Sequence, residues 1–310
     1  MAVDSMFLEE QLEYVTGEVY RQDFPEMLMG SGGLVPISTA VPKGAETYSF
    51  NVMTAVGEAV VLANGTEDIP EVNVYMSKRI GYVRTFANSY SYTLQDMEAA
   101  EFAGVNVNSE KAIAARDVLE RKFDLMAYHG AENYNLLGWI NYPNVPSESF
   151  ANDGNQNGGT NSTRWIHKTA AQIYRDLRQF ALATRVATNS VEMLEVICMD
   201  EENYSLINST PYQAGVDTTI YEFFMRTQAN LPSGVRSIIP IPYLAGKGTA
   251  GTGLMIGYRR REDKIKLHMP MAFEQRPAQE QGFSFKVNCR MKSGGVQVTK
   301  PMSMRYGNGI

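Results

Sequence analysis

Three histidines, two cysteines and one acidic triplet are the groups in this 310-residue chain with reactive chemistry to offer, and spacing decides whether they can act together. His129, His167 and His268 stand far apart with no HxxxH or HxH pair, so each reads as a structural imidazole and not as a zinc ligand. Cys198 and Cys289 form no CxxC and are expected to be buried thiols in a reducing compartment. Asp200, Glu201 and Glu202 suggest paired carboxylates for acid and base work, but neighbouring side chains on a helix point apart, so a helix start is the better reading. Gly246, Gly248 and Gly251 spell G-x-G-x-x-G. That segment leads into the strand pattern LMIGY, whereas a dinucleotide site needs a helix N-terminus against the pyrophosphate. A Walker loop fails as well, with Ile241 where its first glycine belongs and Gly248 where Ser or Thr would hold magnesium. Ser31 lies between two glycines without the spacing of a nucleophile elbow. The sequons at Asn64, Asn161 and Asn208 are chance matches, since nothing directs the chain to a secretory lumen. No catalytic residue, metal site or cofactor is expected.

Composition narrows the class. Apolar residues make up 44% and charged residues 20%, which fits a soluble globular chain and excludes disordered and collagen-like classes. No apolar run has the length of a membrane span, and MAVDSMFLEEQLEYV is acidic where a signal peptide would be basic and then apolar. The formal net charge of −6 argues against sequence-specific nucleic-acid binding and leaves only weak, nonspecific contact. The densest basic stretch, Arg259 to Arg261 with Lys264 and Lys266, is interrupted by Glu262 and Asp263 and reads as a solvated turn.

The longest element is NSEKAIAARDVLERKFDLMAYHG, residues 108–130, with Asn108 as a candidate N-cap, Glu110 in the first turn and Gly130 as a left-handed stop. Ala112, Ala115, Leu119, Phe123 and Met126 form one stripe, widened by Val118 and Leu125, with Arg116, Asp117, Glu120, Arg121 and Asp124 opposite. Leu119, Phe123 and Met126 are its expected core residues. Ahead of it, FLEEQLEYVTGEVY is a small acidic amphipathic pattern suited to lying on another surface. From Gly44 the period changes to two: ETYSFNV and GEAVVL lead to a polar turn at 63–68, and VNVYMS and IGYVRTFANSYSY return. Such a long ribbon cannot bury both its faces unaided. Thr93 with Asp96 opens a short capped helix. After the long helix, residues 164–245 alternate helix and strand as a compact α/β lobe, and the closing strands are expected to return beside the long helix.

That order of parts resembles the major capsid proteins of tailed bacteriophages, with the Hong Kong 97-like fold. The resemblance rests on LVPISTAVPKGAETYSF, the DIPEV turn, SYSYTLQDMEAAEFAG, the long helix, LLGWINYPNV and the ending PMAFEQRPAQEQGFSFKVNCRMKSGGVQVTKPMSMRYGNGI, and it covers nearly the whole chain. It implies an α+β fold with an N-terminal arm at 1–35 and an extended loop with flanking strands at 36–92. A peripheral domain with the spine helix would follow at 93–139, an axial α/β domain at 140–255, and return strands of the peripheral domain at 256–310. The implied function is structural and not enzymatic: self-assembly through hexamers and pentamers into an icosahedral head shell around double-stranded DNA, in the virion, after assembly in the bacterial host cytoplasm. Portal, scaffolding and decoration proteins would be partners, with no membrane involved. Val60, Leu62, Asn64, Gly65, Thr66 and Ile69 of the extended loop are the expected subunit contacts. Only residues 1–35 precede the strands, so no large cleaved scaffolding segment is expected. Lys43 and Lys78 are candidates by position for the Lys-Asn joining that some members use. Two alternatives stay open: an encapsulin-type shell with enzyme cargo, and a nucleotide-dependent enzyme using the loop from Gly246 to Gly253.

Overall fold

The computed structural model describes residues 26–60, 70–103, 107–213, 215–231 and 234–310. The first half holds strands β1 (Ile37–Ser38), β2 (Thr47–Val56), β3 (Asn73–Tyr82) and β4 (Arg84–Thr93), helices α1 (Leu94–Ala103) and α2 (Val107–His129), and β5 (Ser147–Ser149). The lobe follows with α3 (Ala170–Ala187), β6 (Val196–Met199), α4 (Glu201–Ser209), α5 (Ile220–Ala229), β7 (Ser237–Pro240) and β8 (Leu254–Tyr258). The chain closes with β9 (Ile265–His268), β10 (Met271–Gln275), β11 (Gln279–Gln281), β12 (Ser284–Ser293), β13 (Gly295–Val298) and β14 (Met304–Asn308).

Helix α2 positions the rest. Its Ala115 and Leu119 share a buried cluster with Val287 and Cys289 of β12, which pairs over its whole length with β4, from Ser284↔Thr93 to Ser293↔Arg84. Further along, Phe123, Ala127 and Tyr128 enter the main core with Met29, Leu34, Trp139 and Tyr258. The helix stops at Gly130, whose φ of +69° favours glycine, and where a Cβ would fall 2.5 Å from the Leu136 carbonyl oxygen. The chain then doubles back so that the N–H groups of Trp139 and Ile140 donate to the otherwise orphaned carbonyls of Ala127 and Tyr128, at 2.9 and 3.0 Å. This reversal seats Trp139 fully buried, edge-on to Tyr258 at 5.5 Å.

The lobe is built on a five-stranded sheet in the order β5-β14-β8-β6-β7. Its β6, VICM, is buried at every position, as a strand covered on both faces must be. The helices around it begin where their caps dictate. Thr169 with Gln172 and Thr219 with Glu222 form reciprocal capping boxes for α3 and α5, and Asp200 accepts from the Asn203 N–H to cap α4. Trp165, Leu177, Phe180 and Phe224 fill this second core.

Several local expectations change. Helix α2 already includes Val107, so Asn108 lies inside the first turn and is not the cap. Asp124, assigned to the polar face, is buried, and its Oδ1 accepts from the N–H groups of Met29 and Gly30 at 2.9 Å each. Conversely Val118, taken to widen the dry stripe, is 52% exposed. Ile166 is exposed while its neighbour Trp165 carries the burial. Met29, Leu34 and Val35 are core residues, so this end of the proposed arm belongs to the body. The closing strands also divide. β12 returns beside α2, whereas β14 enters the lobe sheet between β5 and β8, and the expected boundary at 255 falls inside β8.

Candidate assembly surfaces

The reactive side chains occupy structural positions. His268 is buried with Nε2 2.6 Å from Oε1 of Gln297, and burial holds its pKa below the usual histidine value. Nδ1 of His167 meets the Gln156 carbonyl at 3.0 Å, and half-buried His129 stands edge-on to the Tyr243 ring. Cys198 and Cys289 are free and buried, each thiol pushed up by desolvation. Among the described residues no group of three or more His, Cys, Asp or Glu side chains could hold a metal ion. Much of the glycine loop's backbone is turned to its own fold: the N–H groups of Gly248, Thr249, Thr252 and Gly253 donate to Thr252 O, Asn308 Oδ1, Thr249 O and Ile310 O. The loop runs into β8 and not into a helix.

The basic stretch is more structural than a solvated turn. Arg260 to Asp263 are exposed, but Arg259 pairs with Glu192 and Glu195, and buried Lys264 pairs with Glu192. The Arg260 guanidinium also donates to the Gly32 carbonyl at 2.8 Å, tying the N-terminal segment to the lobe.

What the fold leaves uncovered is the ribbon. Strands β2 and β3 pair in ten-residue antiparallel register, Thr47↔Tyr82 to Val56↔Asn73, giving a two-stranded arm roughly 30 Å long that pairs with no third strand among the described residues. Its root is anchored. The Tyr48 hydroxyl donates to the Gly294 carbonyl at 3.2 Å, and its ring lies 4.3 Å from that of His268. Gly81 is required opposite Tyr48, since a Cβ there would fall 2.2 Å from the ring. Desolvation at this root pushes the Tyr48 hydroxyl pKa well above the ordinary tyrosine value. The far half is bare. Met53 and Met76 face each other across the ribbon at 66% and 64% exposure, beside exposed Val74 on the same face, with Val56 and Tyr75 exposed on the other.

Of the expected loop contacts, Val60 is exposed near the ribbon's end. Leu62, Asn64, Gly65, Thr66 and Ile69 lie outside the described residues. Leu119, Phe123 and Met126 of α2 are all buried, Leu119 against β12 and Phe123 in the main core. Lys43 and Lys78 are exposed. Sequence reasoning missed two exposed aromatic side chains at opposite ends of α1: Phe102 at its end is 96% exposed, and Phe283, whose carbonyl accepts from the Leu94 N–H at its start, is 84% exposed. Apolar residues in a helix or a strand turn read locally as core, and only the tertiary arrangement reveals that they are exposed among the described residues.

Comparison with known proteins gives these surfaces a context. The family model described as "Major capsid protein" matches residues 57–310. Comparison with curated proteins by sequence gave no match. Among solved structures, the capsid of Myoviridae phage XM1 superposes with a TM-score of 0.79 at 17% identity, covering 99% of this chain and 100% of that one. The capsid of a native gene transfer agent (GTA) particle gives 0.66 at 7% identity, with 96% and 95% coverage. Mycobacterium phage Ogopogo gives 0.54 at 10% identity, with 95% and 96% coverage.

Proposed function

The chain belongs to the major capsid protein family, and on that premise we propose that its copies close an icosahedral shell around the double-stranded DNA of a tailed-bacteriophage head. The ribbon β2–β3 carries this reading. Two strands alone are marginal in water, and a ribbon with paired methionines exposed at its far half is stable only when another surface covers it. A neighbouring copy supplies that surface at every position of a shell, with Val60, Leu62, Asn64, Gly65, Thr66 and Ile69 as its contacts. The subunit then divides by role. Residues 36–92 form the extended loop, α2 with its sheet the peripheral domain, and the five-stranded lobe the axial domain that meets its equivalents in hexamers and pentamers.

The role is structural, and no enzymatic step is assigned. Portal, scaffolding and decoration proteins are the further partners, and the virion is the site of action after assembly in the host cytoplasm. Contact with packaged DNA is weak and nonspecific, as the net charge of −6 implies. A tight, sequence-selective footprint by the purified protein at physiological salt would contradict that. An encapsulin-type compartment has less support, because the structural relatives are phage and gene-transfer-agent capsids. Electron microscopy of the purified protein tests the reading: closed shells of uniform diameter support it, and a field of monodisperse single subunits under all assembly conditions removes it.

A further inference from the structure

Two surfaces of the lobe carry charges of opposite sign that pair with nothing among the described residues. The first is a groove of 630 Å³ between α3 and the end of α5, lined by exposed Leu182 and Val186, by Met193 and Leu231, and by Arg178 and Arg185. Ile173, Leu177 and Phe180 turn the other side of α3 into the core, so the lobe's own packing does not use this stripe. Neither arginine has an ion-pair partner among the described residues, whereas Arg175, one turn before Arg178, is held by Asp153 and Asp176 at 2.6 and 2.8 Å. The second surface is the start of α4. Glu201 and Glu202 are exposed there, equally without an ion-pair partner among the described residues, and Glu202 shares a hollow with exposed Ile166 and half-buried Leu206. Arg164 also lines that hollow, but with Asp200 in the same lining the balance of charge is negative.

Within one copy the two surfaces stand apart. The parallel strands β6 and β7 begin beside the groove, whose Leu194 and Val235 precede Val196 and Ser237, and β6 ends at the start of α4, where Asp200 follows Met199. They therefore lie at opposite ends of these strands. Each combines apolar side chains with charge of one sign, and each finds its complement on the lobe of a second copy. A contact between two unlike patches runs head to tail and repeats around a ring when its rotation closes. We propose that the groove between α3 and α5 receives the start of α4 from the next copy in a ring of the shell, with Arg178 and Arg185 pairing with Glu201 and Glu202 of that copy. This rests on the reading that the lobe meets its equivalents in hexamers and pentamers, and it adds which faces meet.

Charge reversal in the full chain tests it, with assembly read by sedimentation velocity and folding by circular dichroism. Arg178→Glu with Arg185→Glu makes both surfaces negative, Glu201→Arg with Glu202→Arg makes both positive, and each pair should cut the assembled fraction about tenfold. The chain with all four substitutions should assemble as the parent does. Glu201→Gln with Glu202→Gln adds no cation to a helix start, and combined with the groove reversal it should raise assembly above that of the groove reversal alone, even if the arginine pair unfolds α4. Mixing the two reversed variants lets each surface find its complement on the other chain, so native mass spectrometry should show rings with the two chains in equal number. Shells from the groove-reversed variant as abundant as the parent's, or a folded four-substitution chain no better than either pair, overturn the contact and leave the shell reading standing. A parent that forms no shells under any assembly condition overturns the shell reading and the contact with it.

Discussion

Asp124→Leu removes the acceptor of two backbone donors while keeping the side-chain volume close. The Met29 N–H is buried and the Gly30 N–H part-buried, each 2.9 Å from the same carboxylate oxygen. An orphaned buried donor costs about 1–3 kcal/mol, and the Gly30 donor recovers part of its share from water, so the loss is about 2–4 kcal/mol. Asp124→Asn separates hydrogen bonding from charge. It keeps an acceptor oxygen and removes a carboxylate whose pKa is raised by burial against the opposing pull of the two donors. A carboxyl with a raised folded pKa holds its proton more tightly in the native state. Its contribution to stability is therefore full below the unfolded value and is lost as pH rises through the folded value. At neutral pH the asparagine variant should lie within about 1 kcal/mol of the parent. Urea unfolding reads the difference, and hydrogen exchange at Met29 and Gly30 locates it: protection is kept with asparagine and lost with leucine. Equal unfolding midpoints for the two variants, or Met29 and Gly30 amides still protected in the leucine variant, would refute the reasoning.

Two further outcomes concern the core and the ribbon root. Phe123→Asp puts an unpaired charge at a fully buried position and should cost several kcal/mol, seen as a sharp fall in soluble yield; a variant that melts at the parental temperature would take Phe123 out of the core. Tyr48→Phe loses only the bond to the Gly294 carbonyl, about 1 kcal/mol, whereas Tyr48→Ala also removes the ring packed on His268, about 2–4 kcal/mol. Amide exchange along β2 and β3 should rise in that order, and equal exchange in all three proteins would show that Tyr48 does not anchor the ribbon.

Elements whose signal is local were legible in the sequence. The period of two in ETYSFNV marked the ribbon, Thr93 with Asp96 marked the start of α1 through a reciprocal cap at 3.1 Å, and Gly130 marked the end of α2. What escaped depends on partners remote in sequence. Asp124 is indistinguishable on a helical wheel from Asp117, and only the approach of Met29 and Gly30, ninety-five and ninety-four residues away, buries it. β12 and β14 both read as closing strands in the sequence, yet β14 joins the lobe sheet, where it is buried at four consecutive positions, and β12 joins the α2 sheet, because pairing partners are set by tertiary topology. Val118 and Phe102 show the converse. Val118, assigned to the dry stripe by its apolar character, is exposed, and so is Phe102, which no pattern singled out.

The central claim is that the ribbon joins copies and does not hold up its own subunit. Deleting residues 58–72 tests this, because opening the Val56↔Asn73 pair lets Val56, Gly57 and Asn73 form a three-residue loop that reconnects β2 to β3. The root at Tyr48 and both cores are untouched. Sedimentation velocity on the full chain and the deletion variant, each checked by circular dichroism, is the most direct measurement. Shell-sized particles are predicted for the full chain and folded, slowly sedimenting subunits for the variant, whereas full-size particles formed by the variant would contradict the claim.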